Sequence, residues 1–197
     1  MSIIINEYSY IYIKLSRLKK FIIEDFLYKD LEKIKDIQEL INFIAPYYPN
    51  INFISYTIEE IENQLYNSFF KIIAKIFLSS PENMREFLKS YILKFEIDNI
   101  KQIILGIILN MPKEELEQNI NFIIEDYLEH REFIEKLVET TNLDEIQFLM
   151  RETHYNQIIR EGIIYFKKTN EIFVLESFLD KFYFENLKIQ KKKFNIR

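Results

Sequence analysis

Residues 84–108 read MREFLKSYILKFEIDNIKQIILGII. Met84, Phe87, Leu88, Tyr91, Ile92 and Phe95 recur at steps of three and four, and so do Ile100, Ile103, Ile104, Ile107 and Ile108. Such steps place apolar side chains on one face of an α-helix, whereas a half-buried strand needs strict alternation. Isoleucine and phenylalanine favour strands by propensity, but the period reports which face is buried and takes precedence. Between the two runs lies Asp98-Asn99. Both residue types satisfy free amides at a helix start, so the pair predicts a cap that opens a new helix at Ile100. The competing reading is an interface or a hydrogen-bond node between helices.

The same period extends outward. Ile58, Ile61, Leu65, Phe69, Ile72, Ile73 and Ile76 carry it before this stretch, and Leu175, Phe178, Leu179, Phe182 and Tyr183 after it. Strict alternation is confined to short pieces such as Tyr8-Ser9-Tyr10-Ile11-Tyr12-Ile13. Helix-start chemistry agrees. Thr57 with Glu60, and Asn142 with Glu145, read as capping boxes. Ser80-Pro81-Glu82 places a cap residue before a proline at the first helical position. Met111-Pro112 followed by Glu114 and Glu115 puts acid in a first turn, where the helix dipole favours it. Asn170 and Glu171 are expected to open the last long helix, and 45–50 (APYYPN) to form a loop. The expected fold is all-α: a helical bundle or funnel built from repeated helical modules, with no sheet of consequence.

Composition narrows the chemistry. The 197 residues are 48% hydrophobic and 29% charged, enough to build a core and coat it. Glycine occurs only at positions 106 and 162, so no phosphate-cradling glycine loop can be written. Cysteine is absent, which removes thiolate zinc sites, disulfides and cysteine nucleophiles. The net charge of −5 argues against a general nucleic-acid coat. The longest apolar run, Ile103–Leu109, is far short of the ~20 residues of a membrane span.

A faint internal repeat is present. FIIEDFL at 21–27 recurs as FIIEDYL at 122–128, and IQEL at 37–40 is echoed by LDEI at 143–146. The pattern of Ile61, Glu62, Leu65, Phe69 and Phe70 is echoed by Leu175, Glu176, Leu179, Tyr183 and Phe184. The matches keep one order, as in a helical-repeat array.

Candidate catalytic groups do not assemble. His130 and His154 lack the spacing of a zinc site and read as surface or helix-end residues. Adjacent acids such as Glu59/Glu60 and Glu114/Glu115 point in different directions on a helix, so they do not converge. No Gly-x-Ser-x-Gly elbow occurs. Helical spacing assigns the aromatics to packing rather than base stacking. The basic end at Lys188–Arg197 could touch anionic lipid or an acidic partner, but reads first as an exposed terminus.

Several of these stretches resemble one family. Tyr8-Ser9-Tyr10-Ile11, with Lys14-Leu15-Ser16 and Leu18, is similar to the first helix of the C-type (vacuolar d-type) subunits of rotary (archaeal/vacuolar-type) ATPases. The stretch Ile37–Ile44 is similar to the segment that follows in that family. Lys94-Phe95-Glu96-Ile97-Asp98-Asn99-Ile100-Lys101 resembles its Phe-Asp-x-x-Asn-Ile-Lys segment, and Leu179, Asp180, Tyr183 and Leu187 belong to a stretch, Leu175–Leu187, resembling its Leu-Asp-x-Tyr-Tyr-x-x-Leu segment. Tyr12, Ser16 and Leu105 depart from the family's asparagine and arginines.

The resemblance implies a non-catalytic central-stalk adapter of a proton- or sodium-translocating ATPase or ATP synthase. Such an adapter links the rotor shaft to the membrane ring. The implied partners are the other central-stalk proteins and that ring, in a hetero-oligomer at the cytoplasmic face of the membrane, with no span, no nucleic acid and no cofactor. Tyr8, Tyr10, Lys14, Phe95, Asp98, Asn99, Lys101, Leu179, Asp180, Tyr183 and Leu187 are the positions carried over, as structural or interface residues. The family usually has three similar modules. The chain is expected to hold a first one at 1–110 and a second, incomplete one at 111–197, about two-thirds of the usual length. A different class of role, a stand-alone helical scaffold or regulatory interaction module, is the alternative.

Overall fold

The computed structural model describes residues 2–19, 27–48, 51 and 57–193. These form eleven α-helices and no strand. They are α1 (Ser2–Leu18), α2 (Tyr28–Leu31), α3 (Ile37–Ile44), α4 (Ile58–Ser79), α5 (Glu82–Ile108), α6 (Lys113–Gln118), α7 (Phe122–Leu128), α8 (Arg131–Val138), α9 (Leu143–Leu149), α10 (Asn156–Thr169) and α11 (Ile172–Lys193), with a 3-10 turn at Met150–Glu152. The period therefore prevails over strand propensity, including at Tyr8–Ile13, which lies within α1.

The chain divides into two compact units, Met1–Arg85 and Glu86–Arg197. In the first, α1 packs on α4. The Lys14 ammonium donates to Ser79 Oγ, and Asn83 Nδ2 donates to the Tyr8 hydroxyl at 2.6 Å. Ile41, Ile44 and Ile61 form a small core there, flanked by Leu40, Phe43 and Leu65.

In the second unit, Ile97, Ile100, Ile103 and Ile104 of α5 join Ile134, Leu137, Ile146, Met150, Ile159 and Leu179 in a larger core. The buried positions of α5 fall on more than one face, as expected of a helix that other helices surround. Gly106 permits its close approach to α6. A Cβ there would lie 2.8 Å from Leu116 Cδ1.

Capping follows the sequence closely at some helices and departs from it at others. Thr57 Oγ1 accepts from the Glu60 amide. Asn142 Oδ1 accepts from the Glu145 amide at 3.0 Å, while Glu145 Oε2 accepts from the Thr141 amide at 2.7 Å. Asp36 and Glu39 make the same two bonds before α3, with Glu39 Oε2 accepting from Lys35 N. The echoed segments 37–40 and 143–146 thus share one cap design. Of the first repeat match, at 21–27, residues 21–26 lie outside the described residues.

Three expected starts are corrected. Asp98-Asn99 opens nothing, because α5 runs unbroken through both, its apolar face continuing on either side. The Ser80 hydroxyl turns back to Ile76 O in α4, and Pro81 O accepts the first bond of α5, from Arg85 N. Asn170 closes α10 in a left-handed conformation (φ 57°) instead of opening α11. With so little glycine, the chain uses Asn110, Glu129 and Asn170 where helix ends call for positive φ.

Candidate functional site: a buried polar cluster in the second unit

Glu96 occupies the buried stripe of α5, four residues after Ile92 and four before Ile100. Its side chain is 0% exposed. An ionised carboxylate in such a place costs several kcal/mol unless partners surround it. Tyr155, which follows the 3-10 turn, donates its hydroxyl to Glu96 Oε1 at 2.5 Å. His130, the residue before α8, places Nδ1 on Glu96 Oε2. The hydrogen bond to Glu96 raises the His130 pKa, so the imidazolium form is favoured. Burial pushes the Tyr155 phenol well above its ordinary range, so it stays a donor.

Asn99, one turn along α5, docks the start of α7. Its Oδ1 accepts from Asn121 N at 2.9 Å, and its Nδ2 donates to Asn121 O at 3.1 Å and to Glu125 Oε1 at 2.5 Å. Asn121 in turn caps α7 by accepting from Ile123 N. The node reading of Asn99 holds, and the cap reading does not.

Glu125 on α7 is itself 0% exposed, and its Oε2 has no hydrogen-bond donor. Burial, followed by the neighbouring Glu96 carboxylate, pushes its pKa up to about 8. Glu96, Glu125 and His130 each bring one ligand-capable atom within 4.8 Å of the others.

Sequence reasoning missed this convergence. His130 does sit at a helix end, but half-buried and paired. His154 lies against Tyr155 and stacks on Phe182, its ring centroid 5.3 Å away, and burial lowers its pKa. The signal available was phase: Glu96 is a charged residue at an apolar position of a helical stripe. No local pattern said which residues would answer it.

The motif positions are distributed as follows. Lys101 and Asp180, from separate motifs, form an ion pair at 2.5 Å between α5 and α11. Leu179 is fully buried, Tyr183 is nearly so and donates to Tyr91 O at 3.4 Å, and Leu187 packs on the same core. Asp98 is half-buried, and desolvation raises its pKa. Phe95 is partly exposed beside Lys94. In the first unit Tyr8 meets Asn83, Lys14 meets Ser79, and Tyr10 is exposed with the Lys14 ammonium over its ring.

Chemically, Glu96 and Tyr155 are sealed, and only His130 is partly open, at 39% side-chain exposure. The arrangement can hold protons or a cation and can lock α5, α7 and α8 together. A substrate would have to displace packed helices to reach the carboxylates. No described helix is long and apolar enough to cross a membrane.

Fold and cluster together define a class: an all-α protein whose motif residues join helix to helix inside a packed unit. Residues 14–197 match the ATP synthase (C/AC39) subunit family, and the chain belongs to that family of rotary ATPase subunits. A curated relative, the C-type subunit of the A-type ATP synthase of Methanosphaera stadtmanae, is 21% identical over 162 residues. The match takes in 82% of this chain and 40% of that protein, so the chain spans less than half the length of the relative. No solved structure matches.

Proposed function

We propose that the chain is a non-catalytic central-stalk adapter of an A/V-type ion-translocating ATPase or ATP synthase, linking the rotor shaft to the membrane ring. The observation that carries this reading is the family match over residues 14–197. The physical character of the second unit supports it. A torque-bearing adapter needs stiff, close-packed helices and protein-facing surfaces more than an open reactive cleft. Its partners are the other stalk proteins and the ring, and its place is peripheral, on the cytoplasmic side. The repeat modules at 1–110 and 111–197 belong to the same proposal, supported by the shared cap design before α3 and α9. Affinity purification from gently solubilised membranes tests it. The stalk proteins and ring should co-purify in fixed ratio. Recovery of the chain alone, while the rest of the ATPase stays assembled, would overturn the adapter reading in favour of a stand-alone helical module.

A further inference from the structure

Glu125 Oε2 is buried without a donor, and the Glu96 carboxylate is the group beside it. The pair needs a positive species between them, either a proton that Glu125 shares with Glu96 or a metal cation in its place. The surroundings suit a cation. Three side chains from three places in the fold converge: Glu96 from the middle of α5, Glu125 from α7 and His130 from the turn before α8.

We propose that Glu96, Glu125 and His130 form a site for one divalent transition-metal ion, with zinc as the best-matched ion. One imidazole nitrogen and two carboxylate oxygens are a borderline nitrogen–oxygen donor set of the kind zinc accepts. Ligand atoms about 2.0–2.2 Å from such an ion stand roughly 3.3 Å from one another in tetrahedral geometry. The observed spread, within 4.8 Å, brackets that spacing. His130 and Glu96 now touch directly and would part slightly to admit the ion. Charge also balances: two carboxylates and a neutral imidazole against a dication leave a buried site neutral.

The second layer of contacts is built as ligand-orienting partners usually are. Tyr155 holds the other oxygen of Glu96, and Asn99 holds the other oxygen of Glu125. His130 is the partly open member of the three, at the solvent edge. Metal ligands must be deprotonated, so uptake of the ion is expected to release protons.

The test uses the full chain, stripped with chelator and titrated calorimetrically with zinc chloride near neutral pH in two buffers of different ionisation enthalpy. The expected result is one zinc per chain, buffer-dependent heat from released protons, and a melting temperature that climbs with free zinc. Glu125→Gln and His130→Gln should each weaken binding at least tenfold. Glu125→Gln is the deciding variant, because its amide can donate to Glu96 and keep the metal-free fold. If it melts no lower than the parent and zinc shifts the melting of neither, a proton alone fills the gap and the proposal fails. It fails equally if zinc binds the parent and both variants alike, which would place the ion on surface acids. Should Glu125→Gln not fold, the half-exposed His130→Gln carries the same comparison.

Discussion

Glu125 shows how a single buried carboxyl couples stability to pH. An ordinary glutamate ionises near 4.5, whereas in the folded chain this one is pushed up to about 8 by burial and then by Glu96. Between those values the folded state keeps a proton that the unfolded state has lost. Stability therefore falls as pH rises through the window, by up to ~1.4 kcal/mol per unit. His130 acts with the same sign. Its raised pKa means that its link to Glu96 contributes fully below the ordinary histidine value and is lost as pH rises through the folded one. Urea midpoints of chelated protein should thus decline from about pH 5 to pH 8, and Glu125→Gln should flatten most of that decline. A midpoint that rises over this range would contradict the assignment. Asn99 offers a second residue-level test. Asn99→Ala strands the Asn121 amide and carbonyl and strips Glu125 of its donor, so it should cost about 2–4 kcal/mol in denaturant unfolding. A loss under about 0.5 kcal/mol would mean that water replaces these bonds without penalty.

Helices in this chain are started by side chains and finished without glycine. Asp36, Thr57, Asn121 and Asn142 each accept an amide of the first turn. At the other end, Glu129 closes α7 with φ 64°, a conformation a β-carbon disfavours. Glu129 is exposed, so replacing it relieves that strain and loses little packing. Glu129→Gly should raise stability by about 0.5–1 kcal/mol, read as an upward shift in melting temperature. No gain would show that its charge beside His130 matters more than its backbone. The join between α7 and α8 is held further by Arg131, which donates from Nε and Nη2 to the two oxygens of Asp126 and holds that carboxyl below the usual range. Across α5 and α11, the Lys101–Asp180 pair fixes direction more than it adds energy, since Asp180 is half-exposed.

Described burial differs between elements. The core of the second unit draws on α5, α6, α8, α9, α10 and α11, whereas α3 joins a cluster of three buried isoleucines, Ile41, Ile44 and Ile61. Local opening is least favourable where buried apolar contact is densest. Native-state hydrogen exchange should therefore find its slowest amides in α5 at Ile97–Ile104 and in α11 around Leu179, with α3 exchanging much earlier. Equal protection of α3 and α5 would refute this ranking. The same density bears on the proposed adapter role, because a member that transmits torque must not open under load.

Periodicity made the helices legible from sequence, because a helical face depends on residues three and four apart. The caps at Asn142 and Thr57 were legible for the same reason. The motif resemblance likewise pointed to the family that residues 14–197 match. Tertiary structure alone decided that α5 runs through Asp98-Asn99 and that Glu96 meets His130, 34 positions away, and Tyr155, 59 away. A charge on an apolar stripe announces that it needs partners. Which partners come is set by how distant helices pack, and no spacing along the chain encodes that.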